Sequence, residues 1–140
     1  GVEVTLRAVP LPPAAGDQSA VRQVLVNLLL NAHYAVTERP PRAENPARLT
    51  METGADGQRV WVSVEDNGPG IPTEIAASIF DPFFTTKPPG KGTGLGLFVS
   101  NEIMLGLGGS LELDQSPSGC RFSLTLPIWR PPGTATSPGS

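Results

Sequence analysis

The sequence predicts an α+β fold, a two-layer α/β sandwich whose mixed sheet is covered on one face by helices. Three observations carry this. "VEVTLRAV", "ARLTMETGADGQRVWVSVED", "GSLELDQS" and "CRFSLTLPI" alternate apolar with polar residues, as half-buried strands do. Segments of helical spacing lie between them. Eleven of the 16 prolines cluster at residues 10–13, 40–46, 88–89 and 131–138, marking connections between these segments. The resulting order, β–α–β–β–α–loop–α–β–β, is satisfied by helices stacked on one sheet around a single core.

Taken in order, Val2, Val4 and Leu6 alternate with polar neighbours and form a first strand. After a proline-rich turn, Asp17 is placed to cap a helix running to about residue 38. Its apolar residues Val21, Val24, Leu25, Leu28, Leu29, Ala32, Ala35 and Val36 recur at i, i+3, i+4 and i+7. A hairpin follows over residues 47–66, its turn expected at residues 54–57, where two glycines stand. A short helix is expected over residues 73–79, with Pro72 acceptable at its start. Residues 81–93 show no period and hold Pro82, Pro88 and Pro89, so they are expected to form a loop that orders as a lid over a ligand. A second long helix is expected from Gly94 to about Leu107, and a closing hairpin turning at residues 117–119. There is no internal repeat.

At 140 residues and 14.6 kDa the chain suits one domain, expected over residues 1–128, with residues 129–140 as a flexible tail. The net charge of −3, without a basic run, argues against nucleic-acid or membrane-surface binding. No apolar run reaches the length of a membrane span, and no signal-peptide pattern opens the chain. The single cysteine, Cys120, excludes an internal disulfide, fits a reducing compartment and reads as a small apolar strand residue. Because the chain opens directly in a strand, a fragment of a longer protein is expected.

Three stretches could carry chemistry. Asn27 and Asn31 lie one helical turn apart on a face bordering the apolar stripe. They are either surface asparagines or amides offering oxygen to a hard cation such as Mg²⁺. Asp66 closes a strand before "NGPGI", which is either an ordinary turn or a carboxylate able to accept a hydrogen bond from an amine such as adenine presents. "GKGTGLGLF" sets glycines at Gly90, Gly92, Gly94 and Gly96 where a helix begins, with Lys87 and Lys91 beside them. Helix N-termini with nearby cations suit phosphate. Neither G-x-x-x-x-G-K-[ST] nor G-x-G-x-x-G is present, so any phosphate loop here is of another kind.

Together, "QVLVNLLLNA", "DNGPGI", "FDPFFTTK" and "GTGLGL" resemble, in order and spacing, the N, G1, F and G2 boxes of sensor histidine kinases. These boxes mark the Bergerat ATP-binding fold, shared with gyrase, HSP90 and MutL. "GGSLEL" and "GCRFSLTLP" resemble its closing strands, and the likeness spans residues 20–127. The resemblance implies ATP and Mg²⁺ as ligands. Asn31 would hold the metal, and Asn27 would help position metal and γ-phosphate. Asp66 would take the adenine amine, with Gly68, Gly70 and Ile71 shaping the pocket. Phe80, Phe83 and Phe84 would anchor the lid, and Lys87 and Lys91 would approach the phosphates. Gly92, Thr93, Gly94, Leu95, Gly96 and Leu97 would cradle them.

In hydrolysing branches of the family the position of Asn27 is a glutamate that activates water. An amide cannot act as that base, which favours transfer to a protein side chain and makes Asn27 and Lys87 the catalytic candidates. The implied partners are a histidine phosphoacceptor and dimerisation domain of the same full-length protein, and a downstream response regulator. The implied location is cytoplasmic, whether or not the whole kinase is membrane-anchored. Tyr34, Phe98 and Leu107 depart from common residues of these boxes, and His33 lacks the surroundings of a phosphoacceptor. A same-fold ATPase or serine-directed kinase, and a non-catalytic nucleotide-binding regulatory module, are the alternatives.

Overall fold

The computed structural model describes residues 2–10, 12, 14, 16–37, 45–85, 95–116 and 119–129. Eight elements follow one another: β1 (Glu3–Arg7), α1 (Gln18–Thr37), β2 (Arg48–Ala55), β3 (Arg59–Asp66), α2 (Thr73–Ala76), α3 (Gly96–Gly106), β4 (Ser110–Ser116) and β5 (Gly119–Pro127). The sheet order is β1-β2-β3-β5-β4. Only β1 and β2 run parallel, so the sheet is mixed.

Period two selects one face of this sheet for the core. Leu49, Val60, Val64, Leu111, Phe122, Leu124 and Leu126 all point the same way by register and are buried. Against them pack Val24, Leu28, Ala32 and Val36, a four-residue repeat along α1, and Met104 of α3. α1 lies over β2 and β3, while α3 lies over β4 and β5 and touches α1. This is the expected two-layer architecture. Asp17 caps α1 as expected, its Oδ1 accepting the N–H groups of Ser19 at 2.8 Å and Ala20 at 3.4 Å.

The elements differ from expectation in four places. Gly54 belongs to β2 and is not in the hairpin turn. It pairs with Trp61, whose indole lies where a Cβ of residue 54 would have to be, so glycine serves a close approach. The turn is made instead by Asp56, whose Oδ1 accepts the N–H groups of Gln58 and Arg59, both at 2.8 Å. α2 ends at Ala76 rather than residue 79, because the chain continues in i→i+3 bonds, Ser78 N to Ile75 O and Asp81 N to Ser78 O.

α3 begins at Gly96, with Leu95 as its cap residue. In β1, Val4 and Leu6 face the same side as Leu49 and Met51 yet are 70% and 61% exposed, because among the described residues no helix lies over this edge. The expected lid is described only to Thr85, and the expected tail only at Trp129. Residues 86–94, the turn at 117–118 and residues 130–140 lie outside the described residues.

Candidate nucleotide site

Asp66 is the last residue of β3 and only 6% exposed. Its Oδ1 accepts the Gly68 N–H at 2.9 Å, closing a tight turn, and the Cys120 N–H also donates to it. Burial raises the Asp66 carboxyl above the ordinary carboxylate range, the neighbouring Glu65 charge adds slightly, and the two N–H donors oppose. The turn rests directly on α1. A Cβ on Gly68 would stand 2.8 Å from the Ala35 carbonyl oxygen, so only glycine permits that approach. Gly70 has φ +81°, the left-handed backbone that redirects the chain to Ile71, which packs on the core.

Asn67 is not directed at a ligand. Its Oδ1 accepts the Arg48 N–H at 2.7 Å and its Nδ2 donates to the Pro46 carbonyl at 2.8 Å, clasping the turn to the chain entering β2. The clasp escaped the sequence reading because Asn before Gly is ordinary turn chemistry. Cys120 lies opposite Asp66 in the ladder and is buried. Burial and then the Asp66 charge push its thiol up to about 11, against a hydrogen bond from the Ile71 N–H, so it stays a thiol at neutral pH.

Asn27, Asn31 and Ala35 form one stripe on α1, spaced by four. At one end, Asn27 Nδ2 donates to the hydroxyl of Ser100 at 3.0 Å and to the Gly96 carbonyl at 3.4 Å, both on α3. At the other end, Ala35 supports the Asp66 turn. The stripe is about 12 Å long. It thus joins the buried carboxylate to the N-terminus of α3, whose N-cap residue, Leu95, has no side chain that could cap it. Leu95, Gly96 and Leu97 are at that start, with Leu97 packed on the core. Lys87, Lys91, Gly92, Thr93 and Gly94 fall outside the described residues.

Of the three phenylalanines expected to anchor the lid, two pack inward. Phe80 meets Phe122 edge-on, with centroids 6.3 Å apart, and Phe84 packs on the core. Phe83 is 73% exposed with φ +66°, so it anchors nothing among the described residues. His33 is exposed on α1. Among the described residues, no group of three or more His, Cys, Asp or Glu could hold a metal ion. Nor is any helix among them long and apolar enough to cross a membrane.

The raised Asp66 value has a measurable sign. A carboxyl whose folded value lies above its unfolded one favours folding when protonated. Its contribution is therefore full below the ordinary carboxylate value and is lost as pH rises through the raised one. Urea unfolding of wild type and Asp66→Asn between about pH 3 and 7 is expected to show wild type losing stability relative to the variant as pH rises. A pH-independent difference would contradict this.

Residues 16–130 match the family described as histidine kinase-, DNA gyrase B-, and HSP90-like ATPase, and the chain belongs to it. The two-component sensor PprA of Pseudomonas aeruginosa is 40% identical over 116 residues, covering 83% of this chain and 13% of PprA. The signal transduction histidine-protein kinase AtoS of Escherichia coli is 39% identical, over 90% of this chain and 19% of AtoS. The chain thus spans less than a fifth of the length of either relative. Among solved structures, the nucleotide-free catalytic domain of histidine kinase ThkA superposes with TM-score 0.76 and 30% identity, over 91% of this chain and 80% of that one. Full-length ShkA in complex with AMPPNP gives 0.75 and 28%, over 91% of this chain and 26% of that one. ThkA in complex with the response regulator protein TrrA gives 0.73 and 26%, over 91% and 34%.

Proposed function

We propose that this domain binds ATP with Mg²⁺ and donates the γ-phosphoryl group to a histidine on a separate dimerisation domain of its full-length protein, in the cytoplasm. A response regulator then receives it. The observation that carries the reading is the buried Asp66 carboxylate, set on the α1 stripe that runs back to the start of α3. Asp66 accepts the adenine amine, while Gly68, Gly70 and Ile71 shape the ring's slot. The start of α3, with Leu95, Gly96 and Leu97, faces the phosphates. Lys87, Lys91, Gly92, Thr93 and Gly94 complete that cradle in sequence. The likeness to ShkA, solved with AMPPNP, and to ThkA, solved with TrrA, supports both ligand and partner.

Mg²⁺ fits the residues present. The absence of a carboxylate or histidine cluster among the described residues suits a cation that arrives on the triphosphate and needs one amide oxygen, from Asn31. When bound it neutralises charge on the phosphates. The chain's own part is to hold ATP in line with an incoming imidazole nitrogen. That nitrogen forms the new N–P bond as the P–O bond to ADP breaks and the imidazole sheds its proton. Asn27 supplies no base for water, so transfer prevails over hydrolysis.

The test is incubation of the chain with γ-labelled ATP, Mg²⁺ and the cognate histidine hairpin domain. Acid-labile label on the hairpin is the expected result. Phosphoserine, or release of inorganic phosphate by the chain alone, would overturn it. Asn31→Ala is expected to weaken Mg²⁺–ATP binding about five-fold or more, a lost ligand being worth at least one hydrogen bond, with metal-free ADP binding nearly unchanged. Titration calorimetry with and without Mg²⁺ decides; equal shifts would remove Asn31 from the metal.

A further inference from the structure

Ser100 is wholly buried on α3, between the apolar residues 96–99 and the polar pair Asn101 and Glu102, and meets the stripe on α1. Its hydroxyl accepts the Asn27 Nδ2 at 3.0 Å, and the Gly96 carbonyl, one turn earlier on α3, accepts it at 3.4 Å. A primary amide has donors on nitrogen only and acceptor capacity on oxygen only. The Gly96 carbonyl can only accept, so Nδ2 faces α3, where the Ser100 hydroxyl accepts it too, and Oδ1 points away from those two groups. Among the described residues, Oδ1 accepts no hydrogen bond. Asn27 is half-buried rather than buried, and a Cβ on Gly96 would stand 3.8 Å from Oδ1.

From this arrangement we propose that Ser100 is the positioning residue that fixes the Asn27 amide with its oxygen presented to the nucleotide's cation. The inference rests on the nucleotide reading of the site and sharpens it. An outward amide oxygen repels phosphate oxygens and attracts a metal ion or the protons of its bound water. Asn27 therefore serves the cation and not the phosphate, and its orientation is set from α3. Without the Ser100 hydroxyl, only the longer contact to the Gly96 carbonyl would hold the amide, and the nitrogen would face the ligand for part of the time.

The test compares Ser100→Ala, Ser100→Val and Ser100→Thr in the whole chain. Valine and threonine share a shape, so their difference isolates the hydroxyl from any cost of the added methyl group. Calorimetry is expected to show Mg²⁺–ATP affinity about five-fold lower in the alanine and valine variants, the worth of one hydrogen bond. Threonine restores it, and metal-free ADP binds all four proteins alike. In the free chain, the Asn27 side-chain amide resonances shift in the alanine and valine variants and return with threonine.

Unchanged Mg²⁺–ATP affinity in both hydroxyl-free variants would overturn the proposal, as would equal losses with and without metal. Unchanged Asn27 amide resonances would overturn it whatever the affinities. Failure of the wild-type chain to bind any nucleotide would instead overturn the reading of the site, and the cation role with it.

Discussion

Asp66→Ala is expected to weaken ATP binding about 10- to 150-fold, the equivalent of the 1.5–3 kcal/mol of a hydrogen bond to a charged group. The carboxylate is 6% exposed and held by the N–H groups of Gly68 and Cys120, so it is already aimed and pays little to receive an amine. ATP should suffer much more than GTP, because guanine presents an acceptor where adenine presents its amine. The fold is expected to survive, since the variant also removes a buried charge whose desolvation disfavours the folded state. Calorimetry with both nucleotides, beside a thermal melt of each protein, reads the result. Equal ATP affinities in folded wild type and variant would dismiss Asp66 as the adenine contact.

Gly119→Ala is expected to cost about 4 kcal/mol of stability, combining backbone strain with forced displacement of packed atoms. Gly119 has φ +145°, which side-chain-bearing residues rarely adopt, and its Cβ would coincide with the Asp66 carbonyl oxygen. The next obstacles are the Asp66 carbonyl carbon at 2.9 Å and Asn67 Cα at 3.0 Å, all backbone that cannot swing aside. Gly57 is the control, because a Cβ there meets nothing within 4 Å. Its alanine variant should change stability by less than about 1 kcal/mol. Urea unfolding of the pair decides, and equal losses would refute the collision.

Much of this molecule was legible because its packing follows simple periods. The buried residues of α1, Val24, Leu28, Ala32 and Val36, are among those picked out by helical spacing, and β5 alternates from Arg121 onward, while β3 breaks its alternation at the buried Ser63. The ordered motifs then located Asp66 and the stripe of Asn27 and Asn31. What escaped depends on neighbours distant in sequence. Nothing near Gly54 announces that Trp61 will lie across it, so the glycine looked like part of a turn. Alternation assigned Val4 and Leu6 a face but could not say whether a helix would cover it. Ser100 precedes Asn101 and Glu102 in α3 and reads as one more polar helix residue, and its meaning appears only beside Asn27.

The ladder that sets Asp66 beside Cys120 also dictates when this pocket can come into being. β5 is the last strand among the described residues, yet it inserts between β3 and β4, so the acid and the Cys120 N–H that helps hold it come from widely separated stretches. A nascent chain that has emerged only as far as α3 carries Asp66 and both asparagines but lacks the strand that pairs with Asp66. Pairing over such a distance must overcome loop-closure entropy before it is rewarded, and so forms late. A nucleotide therefore has no partly built cleft to template. It recognises only the finished sheet and adds stability to that state alone, through RT ln(1 + [L]/Kd).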